Sequence, residues 1–245
     1  MADSFFIGIY SGMVGMVIGS YFLSFLSRGS FMQTIKGRST CEHCKQAIQV
    51  IDLIPLLSYL FLKGKCRFCH HKIPFYFPLI EVITGGLFFL SWFHAHHFID
   101  MMMSFLLISM LLLLTLTDIR SFRIPNRILL LFSIPLLVLR FFNHPIVFDV
   151  FSLAISLVLL IILFYACQKE QLGGGDVKLF LLFMLLFGTQ STLLIIAMAS
   201  FIALIFVFIH PSFKEKFENN NQKKIPFAPF ISIAALIVYF LPNVV

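Results

Sequence analysis

Long apolar runs separated by short polar segments are the main pattern of this chain. A transmembrane helix needs roughly 20 mostly apolar residues to cross a hydrocarbon core about 30 Å thick. The apolar runs cover residues 5–27, 75–93, 98–117, 126–142, 146–167, 177–209 and 225–244. Most of them have the length of one crossing, so the pattern predicts an all-α polytopic membrane protein.

The run over 177–209 does not fit a single crossing. As one helix with a rise of about 1.5 Å per residue it would be about 50 Å long, and polar residues at 188–191 interrupt it. The segments on its two sides, 169–178 and 214–224, are both basic, which is typical of cytoplasmic loops. An even number of crossings must lie between them. We therefore predict a hairpin of two short helices, about eight transmembrane helices in total, and both termini on the extracytoplasmic side.

Composition and charge agree with this interpretation. Of the 245 residues, 60% are hydrophobic and 12% are charged, which is too few charges to cover a soluble fold of this size. The net charge of +7, from 18 basic and 11 acidic residues, would suggest nucleic acid in a soluble protein. Here every Lys and Arg except Arg140 falls in a segment predicted to be cytoplasmic. We predict a multi-pass membrane protein that contacts the lipid bilayer and binds no nucleic acid.

The polar segments also divide the chain into three parts. Residues 1–27 are predicted to form the first transmembrane helix. Residues 28–74 form the only sizeable segment outside the membrane, and they are basic and predicted to be cytoplasmic. Residues 75–245 are predicted to form a membrane core of about seven helices.

The first two runs contain residues that require a partner. Gly8, Gly12, Gly15 and Gly19 fall on one face of the first predicted helix, and small residues so arranged let another helix approach closely. We interpret them as a packing face. Glu81 lies inside the second run, and an acid within a membrane span is costly unless it has a partner. A basic group or a polar cavity is the expected surrounding of Glu81.

Two C-x2-C pairs, separated by 21 residues, lie in the segment 28–74. Each pair can present two sulfurs to one ion, and two pairs complete a tetrahedral shell. Disulfides are disfavoured because the segment is predicted to face the reducing cytoplasm. Free or redox-active thiols are the alternative, and the neighbouring His43, His70 and His71 are alternative ligands. We predict a structural zinc site that supplies much of the folding free energy of this domain, with the ligands Cys41, Cys44, Cys66 and Cys69.

Two of the acidic residues lie at membrane edges in surroundings that indicate chemistry. Asp118 ends the third run and Asp176 begins the sixth, both at the predicted cytoplasmic side. Two neighbouring carboxylates share a proton, so one can activate water while the other polarises a carbonyl. The three glycines before Asp176 allow positive φ and the close approach of an extended peptide. A catalytic pair for peptide hydrolysis is one interpretation, and solvated helix caps or salt-bridge partners are the other.

The order of the motifs resembles that of the type IV prepilin peptidases, membrane aspartic proteases with a G-x-G-D motif. The resemblance covers nearly the whole chain, from Gly15 to Phe230. One departure is Ala228, at a position where the family usually has Gly. Besides the paired cysteines, the matching motifs are Gly19-Ser20-Tyr21, Asp52-Leu53-Ile54-Pro55, Leu62-Lys63-Gly64, Phe77-Pro78-Leu79-Ile80-Glu81, Asp118 with Ile124-Pro125, Gly173-Gly174-Gly175-Asp176-Val177-Lys178 and Ile225-Pro226-Phe227-Ala228-Pro229-Phe230.

This resemblance implies that Asp118 and Asp176 are the catalytic pair. It implies an endopeptidase of the bacterial plasma membrane. The enzyme would remove the short basic leader of type IV prepilins or pseudopilins at the cytoplasmic membrane face, after a Gly and before an aromatic residue. The long form of the family, with paired cysteines, usually also N-methylates the new terminus with S-adenosylmethionine. A transporter with a cytoplasmic zinc module and a membrane redox protein are the alternative functions. The acids lie at one membrane edge rather than at mid-membrane, which argues against transport.

Overall fold

The computed structural model of the chain describes residues 2–28, 39–41, 43–143, 158–159, 161–162, 165, 173–209 and 226–241. Seven α-helices and the short 3-10 helix Val50–Leu53 are the regular elements within these ranges. The all-α prediction is confirmed. The helices are α1 (Ala2–Arg28), α2 (Leu57–Phe61), α3 (Tyr76–His94), α4 (Phe98–Ser121), α5 (Asn126–Asn143), α6 (Gly174–Ile209) and α7 (Ala228–Phe240).

Four of these helices are long and apolar enough to cross a membrane: α3, α4, α6 and the part of α1 over Phe5–Leu26. The helix α7 is apolar but shorter. The predicted run over 146–167 lies mostly outside the described residues. Eight crossings and the side of each loop therefore stay predictions, as does the three-part division of the chain.

The long helix α6 is interrupted where the sequence predicts a break. Gly188 has φ 83° and ψ 174°, whereas helical residues continue before and after it. This backbone conformation is accessible to glycine because glycine has no Cβ. The predicted interruption at 188–191 is confirmed, and the hairpin orientation of the two halves stays a prediction.

The chain forms two compact units, Met1–Ser109 and Met110–Val245. In the first unit, the glycine face of α1 packs against α3. A Cβ atom added to Gly15 would lie 2.7 Å from Phe88 Cβ, and one added to Gly12 would lie 3.2 Å from the carbonyl oxygen of Gly85. The Ser11 hydroxyl donates a hydrogen bond of 3.1 Å to the Phe88 carbonyl across the interface. The predicted packing face is confirmed.

Neighbouring glycines on α3 allow a matched test of this interface. A Cβ atom at Gly85 would lie 2.6 Å from Met16 Cγ, whereas one at Gly86 would meet no atom within 4 Å. We expect Gly85→Ala to destabilise the purified protein by roughly 1–3 kcal/mol, the usual effect of overpacking. Gly86→Ala should be neutral or slightly stabilising, because alanine favours helix more than glycine does. Unfolding of both variants in the same detergent measures the difference, and equal stabilities would contradict a tight α1–α3 contact.

In the second unit, two hydroxyl contacts fix α7 against the C-terminal half of α4. The Thr115 hydroxyl is 2.9 Å from the Ser232 hydroxyl, which is itself 3.3 Å from the Leu111 carbonyl. Thr115 precedes Asp118 by one helical turn, and Ser232 follows Ala228 by one turn. These contacts therefore set the register between the end of α4 and the beginning of α7, where Asp118 lies.

Candidate active site and metal centre

Asp118 lies in the last turn of α4 and is 7% exposed. Its Oδ2 accepts a hydrogen bond of 3.0 Å from the backbone N–H of Ala228, the first residue of α7. The first N–H groups of a helix have no partner within the helix and carry partial positive charge. The carboxyl group of Asp118 therefore lies at the positive end of α7, which holds it in place.

Asp176 lies in the first turn of α6. Its backbone N–H donates a hydrogen bond of 3.0 Å to the carbonyl of Gly173, which forms the beginning of the helix. The side chain is partly buried, and a negative charge on it would be repelled by a negative charge on Asp118. The structure thus brings together the two acids that the sequence singles out, although 57 residues separate them along the chain.

Gly175, one of the three glycines before Asp176, allows a close contact within the protein. Among the described glycines, positive φ occurs only at Gly64 and Gly188, so the freedom that glycine offers at 173–175 is not used for a left-handed backbone, and the approach of an extended peptide stays a prediction. An added Cβ at Gly175 would lie 2.7 Å from the Cβ of Ile124. Glycine at this position lets α6 begin close to the segment that joins α4 to α5.

A polar contact joins the beginnings of α5 and α6. The Nζ of Lys178 donates a hydrogen bond of 2.9 Å to Oδ1 of Asn126. Lys178 ends the motif Gly173-Gly174-Gly175-Asp176-Val177-Lys178 and Asn126 directly follows Ile124-Pro125, but their contact was not predicted. Lys178 lies two residues after Asp176, so this bond helps to fix the first turn of α6 beside the candidate site.

Sequence reasoning also missed the backbone N–H of Ala228 as a partner of Asp118. A signal for the helix start was present, because Pro229 lies in the first turn of α7, where proline is favoured. Nothing in the sequence, however, indicates which side chain this helix start faces.

The four cysteines come together as predicted. Their Sγ atoms all lie within 4.8 Å of one another, and Cys41 Sγ is 3.9 Å from Cys69 Sγ. All four are partly buried free thiols. Among the described His, Cys, Asp and Glu residues, this is the cluster whose ligand atoms converge in this way.

Both C-x2-C pairs form the same tight turn. The backbone N–H of Lys45 donates to the Cys41 carbonyl at 2.9 Å, and that of His70 donates to the Cys66 carbonyl at 3.0 Å. Lys45 and His70, each directly after the second cysteine of its pair, have positive φ of 58° and 55°. The repetition of one strained turn indicates that both pairs are shaped to point their sulfurs inwards.

The geometry of this cluster fits zinc. Four sulfurs at about 2.3 Å from one ion lie about 3.8 Å from one another in a tetrahedron, close to the Cys41–Cys69 distance. The backbone N–H of Cys69 donates to the Cys66 sulfur and lowers the pKa of that thiol to about 7. Against a backbone hydrogen bond from His71, the pKa of Cys69 is raised to about 11 by burial and by hydrogen bonds with the other three thiols, so without a metal the four sulfurs share their protons unequally. His43 and His71 stack with their ring centroids 4.5 Å apart and lie outside the converging set of ligands.

Glu81 has a partner of a kind that was not expected. It is buried in α3, and its Oε2 accepts a hydrogen bond of 2.8 Å from the backbone N–H of Leu56. Leu56 itself has φ 60° and ψ −49°, a conformation that side-chain-bearing residues rarely adopt. The expected basic group or polar cavity is therefore replaced by the backbone of the segment between the cysteine pairs.

Two family models match the chain in order. One is described as Bacterial Peptidase A24 N-terminal domain and covers residues 13–95, and the other as Type IV leader peptidase family and covers residues 105–208. A prepilin leader peptidase/N-methyltransferase of Pectobacterium carotovorum is 32% identical over 210 residues, which are 81% of this chain and 72% of that relative. The chain belongs to the type IV prepilin leader peptidase family.

The similarity extends over most of the chain in other relatives that are also named prepilin leader peptidase/N-methyltransferase. The one from Bacillus subtilis is 29% identical over 228 residues, covering 92% of this chain and 90% of the relative. The one from Legionella pneumophila is 30% identical over 209 residues, covering 83% of this chain and 72% of the relative. No solved structure matches the chain. The first family model contains both cysteine pairs, and the second contains both candidate aspartates.

Proposed function

We propose that this chain is a membrane aspartic endopeptidase that removes the leader of type IV prepilins or pseudopilins and N-methylates the new terminus. The observation that carries the proposal is the placement of Asp118 on the N-terminus of α7, within electrostatic range of Asp176. Membership of the leader peptidase family supplies the substrate class. The same membership argues against the transporter and the redox protein considered from the sequence.

The two aspartates have different surroundings, which suggests different roles. The positive end of α7 favours a negative charge on Asp118. In the proposed mechanism Asp118 is the ionised partner and takes a proton from water, whose oxygen attacks the scissile carbonyl carbon. Asp176 carries the shared proton and donates it to the carbonyl oxygen. When the tetrahedral intermediate breaks its C–N bond, the proton held by Asp118 passes to the leaving amine, and one hydroxyl proton of the intermediate returns to Asp176, which restores the starting pair.

The proposed zinc ion has a structural role. Cys41, Cys44, Cys66 and Cys69 would hold it, and the metal would bind the two turns of the small domain together. S-adenosylmethionine would supply the methyl group for the second reaction. The described residues do not define a binding site for this methyl donor, so the methylation half of the proposal rests on the family.

The direct test is co-expression with a type IV prepilin, followed by mass spectrometry of the N-terminal peptide. We expect a peptide that begins at the residue after the leader glycine and carries one extra methyl group. Cells with the prepilin alone provide the control. An uncut prepilin would contradict the peptidase, and a cut but unmethylated one would contradict the methyltransferase.

A further inference from the structure

The segment between the cysteine pairs exposes an unusual number of apolar side chains. Over residues 50–61, here called the apolar segment, neither the 3-10 helix nor α2 contains a buried residue. Val50 is 82% exposed, Leu60 61% and Phe61 81%. No charged residue lies between Asp52 and Lys63. Among the described residues nothing buries these side chains, so another apolar environment must cover them if they are to leave water.

The hydrogen bond between Leu56 and Glu81 fixes the position of this segment along α3. Glu81 lies five residues after the first residue of α3, which corresponds to about 7.5 Å along the helix axis. A helical side chain tilts back towards the N-terminus of its helix. The backbone of Leu56, 2.8 Å from the Glu81 carboxyl, therefore lies near the beginning of a membrane-spanning helix rather than out in the water.

The surroundings of the apolar segment match the chemistry of a membrane surface. Asp52, its only acid, is neutralised by hydrogen bonds of 2.6 and 2.8 Å from Arg67. The exposed Lys63 and Lys65 follow directly, as basic residues do where anionic headgroups are near. Phe75 and Tyr76, both exposed at the beginning of α3, are aromatic residues of the kind found at the lipid–water boundary.

We propose that residues 50–61 lie in the lipid–water interface, with Leu57, Leu60 and Phe61 directed into the boundary between headgroups and acyl chains. Lipid then covers the exposed apolar side chains, and this contact holds the small cysteine domain at the membrane surface. Continuity with the exposed apolar side chains at the beginning of α3, a candidate membrane span, favours lipid over a protein partner. The proposal does not depend on the catalytic activity of the chain.

The single tryptophan of the chain allows a direct depth measurement. In a Trp92→Phe background, Phe61→Trp and Val50→Trp each place one reporter on the apolar segment. Gln46→Trp is the matched control, because Gln46 is an exposed polar residue in the first cysteine turn. Each full-length variant is reconstituted in nanodiscs of phosphatidylethanolamine and phosphatidylglycerol, with either ordinary or brominated acyl chains, and also titrated with acrylamide.

We expect blue-shifted emission for both apolar reporters, with most of it lost in brominated lipid and little lost to acrylamide. The Gln46→Trp reporter should show the reverse. Similar acrylamide quenching at all three positions, without quenching by brominated lipid, would overturn the proposal. Protection of Phe61→Trp only after a prepilin is added would also overturn it, because the occupant would then be the substrate. If either apolar variant misfolds, the other gives the same two readings.

Discussion

Asp118→Asn and Asp176→Asn are each expected to abolish leader cleavage while the protein still accumulates in the membrane. Asparagine has the same size as aspartate, and at position 118 its carbonyl oxygen can still accept the hydrogen bond from the Ala228 N–H. What it lacks is the ability to accept or donate the proton at the carboxyl group. Loss of acid–base catalysis typically lowers a rate by roughly 100- to 10,000-fold. The measurement is the cleaved fraction of a prepilin over time in membranes with equal amounts of each variant.

The control for this experiment is Asp100→Asn. Asp100 lies in the first turn of α4, at the end of the helix opposite to Asp118. Its carboxylate accepts a hydrogen bond from the backbone N–H of His97. This variant should cleave at the rate of the unaltered chain. The double variant of Asp118 and Asp176 should be no slower than either single one, because groups that act as a unit are not additive. Normal cleavage by either single variant would contradict the proposed mechanism.

The second large effect concerns the metal. We expect the purified protein to contain about one zinc ion per chain, and Cys41→Ser to contain far less. Zinc supplies much of the folding free energy of small domains of this type, with apparent values of about 10 kcal/mol or more in isolated peptides. The cysteine domain should therefore lose its fold, seen as rapid proteolysis between residues 39 and 73. Elemental analysis and limited proteolysis measure the two effects.

Three comparisons make this prediction specific. His43→Ala should keep its zinc, because His43 lies outside the converging ligands. Cys167→Ser removes the fifth cysteine of the chain and should also keep it. Cys41→Ser should reduce N-methylation before it reduces cleavage, because the catalytic aspartates belong to the other compact unit. Equal loss of both activities in a variant that resists proteolysis would contradict this order.

The parts of the structure that sequence predicts are those governed by composition and spacing. Apolar runs of membrane-spanning length became helices because a span must satisfy its own backbone hydrogen bonds. The spacing of Gly12 and Gly15 and the two C-x2-C pairs predicted contacts correctly, because each pattern places several side chains on one surface. Asp118 and Asp176 stood out because acids are rare in this chain and costly at such positions.

The contacts that sequence does not reveal are of two kinds. In one, a backbone N–H is the partner of a side chain, and in the other, a glycine leaves room for a neighbouring side chain because it has no Cβ atom. The Ala228 N–H that holds Asp118 and the Leu56 N–H that holds Glu81 are donors present in almost every residue. The tight contact of Gly175 with Ile124 depends on a missing Cβ atom, which is compatible with many neighbours. Such contacts are decided by the three-dimensional path of the chain and need a structure to be found.

The bond from Ala228 to Asp118 also explains why alanine is compatible with the site at 228, a position where the family resemblance leads us to expect glycine. The donor belongs to the main chain, so the identity of the side chain does not affect it, and only proline would remove it. Ala228 is 0% exposed, so the side chain at this position must stay small. Glycine and alanine would both supply the same N–H donor to Asp118 without changing the chemistry. Position 228 therefore requires a small side chain and a backbone N–H, and it does not require one particular residue.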